Sequence, residues 1–113
     1  GHITPHIERM LTACDALLVE CNHDSALLAA GPYPQALKAR VGGRFGHLSN
    51  AQTAELLARL DLSRLQHIAA LHLSDTNNRP DLAAAAVSAA LGCEPDWVTV
   101  ADQTDGFGWR DLA

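Results

Sequence analysis

Two short, almost unbroken apolar runs, Ala16 to Cys21 and Gln66 to Leu73, constrain this chain more than any other feature. A strand with one wet face alternates apolar and polar residues. A run without alternation fits a strand covered on both faces, as in parallel sheets. Glu20 interrupts the first run near its C-terminal end, and His72 stands near the end of the second. Trp97 to Ala101 reads as a final strand, with Gln103 to Ala113 as a tail.

Helix signals separate the runs. Thr4 is placed to cap a first helix with Pro5 in its first turn, and Ile3, Ile7, Met10 and Leu11 share one face. Asp24 or Ser25 can cap a brief helix through Ala30, with Gly31 placed to end it in a left-handed conformation. A further short helix is expected over Gln35 to Val41, before a flexible loop from Gly42 to Gly46. Ser49 followed by Gln52 is a capping-box pattern. It opens a helix with Ala54, Leu57 and Leu60 as its apolar stripe and Glu55 paired with Arg59 on the wet side. Pro80 starts an alanine-rich helix that ends near Leu91, with Gly92 as its stop. Helices alternating with buried strands give an α/β class, and 113 residues suffice for one domain.

Composition narrows the function. No apolar run approaches the ~18 residues of a membrane span, so no membrane partner is expected and a cytoplasmic location is the default. The net charge of −5 argues against passive binding to a nucleic-acid backbone, which needs clustered Lys and Arg. It leaves room for a nuclease, because bound metal ions bring positive charge of their own. Cys14, Cys21 and Cys93 are odd in number and widely spaced, which fits neither a disulfide framework nor a zinc knuckle.

The polar residues of interest gather after the strands, where α/β proteins usually build sites. Glu20 and Asn22-His23-Asp24 follow the first, His47 precedes a capped helix, and His72, Ser74, Asn77 and Asn78 follow the second. Bland readings stand beside functional ones. Most of the six histidines in so short a chain will be surface or core residues. Glu20 fits an ion pair with an arginine, and Asn77-Asn78 fit ordinary turn chemistry.

Four blocks in order carry a resemblance: Leu-Leu-Val-Glu-Cys-Asn-His-Asp from 17, Gly-Pro-Tyr-Pro-Gln-Ala-Leu-Lys from 31, Gly-His-Leu-Ser-Asn-Ala-Gln from 46, and Leu-His-Leu-Ser-Asp-Thr-Asn-Asn from 71. Together they resemble the C-terminal half of metallo-β-lactamase-fold hydrolases of the YycJ (WalJ) type, exonuclease-like relatives of transfer-RNA 3′-processing ribonuclease Z. The resemblance implies that residues 1–113 form the second half of a single four-layer αββα sandwich. It implies a metal-dependent phosphodiesterase in the complete protein, with nucleic acid as substrate and two divalent metal ions, zinc or manganese, as cofactors. His72 matches a metal-binding histidine. Glu20 and His47 match a pair in which the histidine protonates the leaving oxygen. A carboxylate that holds an imidazole fixes its tautomer and favours the charged ring, which suits it to that task. Asn22, His23, Asp24, Ser74, Asn77 and Asn78 fall in the recurrent blocks, as substrate contacts or as supports for the metal ligands.

The family's principal metal motif, His-x-His-x-Asp-His, is absent from these residues, and the bridging aspartate of an Asp-x-Gly motif would fall just upstream of Gly1. The chain by itself is therefore expected to be inactive. The missing N-terminal half, or a second copy of the chain, is expected to cover a broad apolar face of the sheet. The rival readings are a metal-free α/β binding module and a hydrolase of small cyclic phosphate esters.

Overall fold

The computed structural model describes residues 1–113. In chain order the elements are α1 (Pro5–Leu11), β1 (Ala16–Glu20), α2 (Ser25–Ala30), α3 (Gln35–Gly42), α4 (Asn50–Arg59), β2 (His67–Leu71), α5 (Pro80–Leu91), a 3₁₀ turn (Pro95–Trp97) and β3 (Thr99–Val100). The three strands form one parallel sheet in the order β1-β2-β3. The α/β class expected from the sequence is what the chain adopts. No helix is long and apolar enough to cross a membrane.

The local signals act much as their chemistry requires. Thr4 Oγ1 accepts from the Ile7 amide at the start of α1, and Asp24 Oδ1 accepts from Leu27 at the start of α2. Ser49 and Gln52 form both bonds of the capping box on α4. Pro80 occupies the first turn of α5, and Gly92 closes that helix with φ 69°, a left-handed value open to a residue without Cβ.

Register divides the sheet into two faces. Leu17 lies beside Ile68 and Val19 beside Ala70, and this face packs against α4 and α5 through Leu57, Ala83 and Val87. On the other face, Ala16, Leu18 and Glu20 lie beside His67, Ala69 and Leu71. No helix covers that face. Leu18 is 62% exposed there. The C-terminal tail crosses part of it, with Phe107 and Leu112 near Leu18 and the His67 ring hydrogen-bonded to the Asp111 carbonyl at 2.8 Å. The bare surface is thus narrower than the broad apolar face expected. The accessible surface is still 6902 Å², against roughly 6000 Å² for a compact monomer of 12.0 kDa.

Several expectations need correction. Gly31 is extended (φ −75°, ψ 179°) rather than left-handed, and a close approach accounts for the glycine. A Cβ there would stand 2.7 Å from the Leu27 carbonyl oxygen and 2.9 Å from Asn77 Oδ1. Arg59 pairs with Glu8 at 3.0 Å, joining α4 to α1, instead of with Glu55. The buried side of α4 consists of Asn50, Thr53, Leu56 and Leu57, while Ala54 and Leu60 are only half-buried. Trp97 belongs to the 3₁₀ turn because Pro95 favours a tight start there, which leaves β3 two residues long.

Gly31→Ala is therefore expected to destabilise the chain by about 1–3 kcal/mol through overpacking against backbone and a buried amide. Urea unfolding of the two proteins measures it, and a change within experimental error would show that the loop at 74–78 can move aside.

Candidate active site

The strand ends build the site. Beyond Glu20 the chain stays in the ladder: the Cys21 amide donates to the Leu71 carbonyl at 3.0 Å, and the Ser74 amide to the Asn22 carbonyl at 2.8 Å. On the opposite edge, Asn22 N–H donates to the Leu48 carbonyl at 3.0 Å and Asn50 N–H to the His23 carbonyl at 2.8 Å. The extension of β1 is thereby held between segments 47–50 and 71–74. Above it lies a cleft of about 660 Å³, lined among others by Asn22, Tyr33, His47, His72, Ser74 and Asn77.

Glu20 and His47 meet at its edge although they are 27 positions apart in sequence. His47 Nδ1 is 2.5 Å from Glu20 Oε1, and Glu20 Oε2 accepts from the Leu48 amide at 3.3 Å. Two contacts fix the carboxylate, so the imidazole it holds is oriented in turn. An ionised carboxylate only accepts, so Nδ1 carries the hydrogen and Nε2 is left facing away from Glu20. The backbone at Glu20 is also anchored, by the buried Thr53 hydroxyl donating to its carbonyl at 2.5 Å. His47 is exposed on the cleft wall, in a position to exchange a proton with a bound molecule.

The remaining sequence-predicted residues divide into two groups. Asn22, His72, Ser74 and Asn77 line the cleft with His47. His23, Asp24 and Asn78 lie behind it. Asn78 and Asn50 are buried and exchange reciprocal amide hydrogen bonds of 2.9 Å, and Asn78 Nδ2 also donates to the Cys21 carbonyl at 2.8 Å. Asp24 is the α2 cap. Ser74 Oγ accepts from the Asn77 amide at 3.0 Å, which closes the turn after β2. The Asn77 carboxamide is fully buried beside Gly31, without a hydrogen bond in the chain.

His23 is 3% exposed. Burial, more than the positive charges nearby, holds its pKa below the ordinary 6.5, and Nδ1–H donates to Asn22 Oδ1 at 3.2 Å. Burial likewise pushes the Cys21 thiol up to about 11, so it is a small hydrophobe and not a nucleophile at neutral pH. All three cysteines are free.

Asn50 and Thr53 were not singled out in the sequence, yet they hold Asn78 and Glu20 in place. The available signal was two polar residues three apart on the helix face that continues into Leu56 and Leu57. Nowhere in the chain do three His, Cys, Asp or Glu side chains converge as a metal ion would require. His72 is one imidazole without companions, and the His47 Nδ1 position is taken by Glu20.

No family model matches the chain. Curated proteins do, two of them as follows. It is 32% identical over 91 residues to exodeoxyribonuclease YycJ of Bacillus anthracis, covering 80% of this chain and 34% of that protein. It is 36% identical over 83 residues to exodeoxyribonuclease WalJ of Streptococcus pneumoniae, covering 74% of this chain and 31% of that protein. These exodeoxyribonucleases are its distant homologues. The chain spans about a third of the length of the curated relatives it matches.

The burial of neutral His23 sets a pH dependence. A histidine whose folded pKa lies below its unfolded value contributes stability that is complete above the unfolded pKa. That stability is lost as pH falls through the folded value, because the unfolded chain takes up the proton first. The melting temperature should therefore drop below about pH 6.5. His23→Gln should flatten that drop relative to the unmodified chain. Parallel melting curves against pH check it; identical slopes would mean that His23 protonates as easily folded as unfolded.

Proposed function

We propose that this chain carries the proton donor of a phosphodiesterase that degrades DNA, an exonuclease in its complete form. The observation behind the reading is the Glu20–His47 pair, which stands at a polar cleft in a chain similar to exodeoxyribonucleases over 74–80% of its length. In this reading His47, protonated, presents Nε2–H to the ester oxygen that departs from phosphorus. As a water oxygen bonds to phosphorus, giving up a proton to solvent, the P–O bond to the departing oxygen breaks and its electron pair takes the Nε2 proton; the carboxylate of Glu20 stabilises the ring through Nδ1–H until the transfer. A positioned acid of this kind contributes roughly 10²- to 10⁴-fold.

We further assign residues 1–113 to the C-terminal half of a four-layer αββα sandwich. The sheet face without helices, and an accessible surface roughly 900 Å² above that of a compact monomer, support a missing covering layer; one side of a standard interface buries about 800 Å². His72 is proposed as one ligand of a centre holding two divalent ions, zinc or manganese, whose other ligands lie outside these residues. Such ions, when bound, supply positive charge at the phosphate. Asn22, Ser74 and Asn77 line the cleft in which the substrate would lie, while His23, Asp24 and Asn78 buttress it.

The test uses the full-length protein containing this chain, with end-labelled DNA as substrate. His47→Ala should lower turnover about 10²-fold or more with bound metal unchanged. His72→Ala should lower bound metal itself. A His47→Ala protein that degrades DNA at the normal rate would remove the proposed donor. Turnover of small cyclic phosphate esters without any of DNA would remove the nuclease assignment.

A further inference from the structure

His72 has an unusual backbone. Its φ is 56°, and among non-glycine residues only Ala13 shares a positive value. A residue with a Cβ meets steric cost in that region, so something must hold it there. The parity of β2 shows what the conformation achieves. Side chains alternate, and Ile68 and Ala70 point to the helices, so a regular continuation would send residue 72 into the same core. The left-handed turn breaks the alternation. His72 emerges exposed in the cleft, and Leu73, at 7% exposure, enters the core instead.

Asn22 is the side chain placed to hold it. Nδ2 donates to the His72 carbonyl at 3.0 Å, and Oδ1 accepts from the His23 ring at 3.2 Å. A backbone carbonyl only accepts, so these two partners fix which end of the carboxamide faces His72. The Asn22 main chain, meanwhile, is bonded to Leu48 on one side and Ser74 on the other. One residue thus touches both the segment that carries His47 and the segment that carries His72. Its backbone joins the two segments, and its carboxamide alone reaches the carbonyl of the strained residue.

We infer that Asn22 is a positioning residue: its carboxamide holds His72 in the left-handed conformation and so presents the imidazole to the cleft. The use of that imidazole in catalysis rests on the function proposed above; the conformational role stands on the geometry alone. Asn22→Asp is the discriminating substitution. It keeps the size of the side chain and an acceptor for His23, and it replaces the donor to the His72 carbonyl with a negatively charged acceptor.

In the metal-free full chain at pH 8, NMR should show the His72 backbone carbon shifts leaving the left-handed range in Asn22→Asp, together with a change in its ring signals. The His47 ring and the Leu48 amide should stay where they are, which general loosening would not allow. Unchanged His72 signals, or joint movement of His72, His47 and Leu48, would overturn the assignment. His72→Gly supplies a second arm, since glycine takes a positive φ without steric cost. Asn22→Asp should lower the melting temperature by at least ~4 °C more with histidine at 72 than with glycine there. Equal losses in the two backgrounds would also overturn it. A nuclease that stays fully active with His72→Ala would count against the functional reading only, whereas the Asn22→Asp spectra decide the positioning role by themselves.

Discussion

Five consecutive residue pairs join β1 to β2 in parallel, from Ala16 beside His67 to Glu20 beside Leu71, and that register decides where every side chain of the cleft stands. Parallel pairing brings both C-terminal ends to the same edge, so residues 50 positions apart, Asn22 and His72, become hydrogen-bonded neighbours. A slip of one residue would turn Glu20 toward the helices and Val19 toward the open face. The packing of Leu17 and Val19 with Ile68 and Ala70 opposes such a slip, because it would move the two apolar side chains of β1 out of the core. Packing on one face of the sheet thus fixes the chemistry at its edge.

Behind the cleft the structure uses buried polar groups where apolar ones would pack as well. Asn50, Thr53 and Asn78 are all at or below 5% exposure, and each finds partners: Asn50 and Asn78 one another, Asn78 the Cys21 carbonyl, Thr53 the Glu20 carbonyl. A buried amide that loses its partner bears a desolvation penalty of about 1–3 kcal/mol, so these bonds resist rearrangement. They tie α4 and the loop after β2 to the end of β1. The segments bearing His47 and His72 therefore stand in fixed relation to the Glu20 carboxylate.

What the sequence made legible was local. Caps, stops and apolar runs involve residues within four positions of each other, and Ser49 with Gln52, Pro80 and Gly92 behave as their spacing implies. The proximity of Glu20 and His47 was expected only from a family resemblance, since no local rule joins positions 20 and 47. Apart from the 3₁₀ turn at Trp97, the main misreadings turn on distant partners. Arg59 finds Glu8 on another helix instead of Glu55 on its own. Gly31 is required by the approach of the Leu27 carbonyl and of Asn77, 46 positions away, and not by its own dihedral angles. The left-handed turn at His72, supported by Asn22 from the neighbouring strand, leaves no mark in the run from Gln66 to Leu73. The tail over the open face was legible only as a tail, because the bonds that seat its end run to Gln66 and His67, far away in the sequence.

The account centres on an imidazole oriented by a carboxylate, and the ring's own protonation pattern reports that orientation. A free neutral imidazole can carry its hydrogen on either nitrogen, and the hydrogen bond at one nitrogen decides which. The most direct measurement is the ¹⁵N NMR spectrum of the His47 ring at a pH where it is neutral, with Glu20→Gln for comparison. The account predicts the hydrogen on Nδ1, with Nε2 bare toward the cleft, and a shift away from that state in Glu20→Gln. A hydrogen residing on Nε2 in the unmodified chain, or a spectrum indifferent to Glu20→Gln, would contradict it.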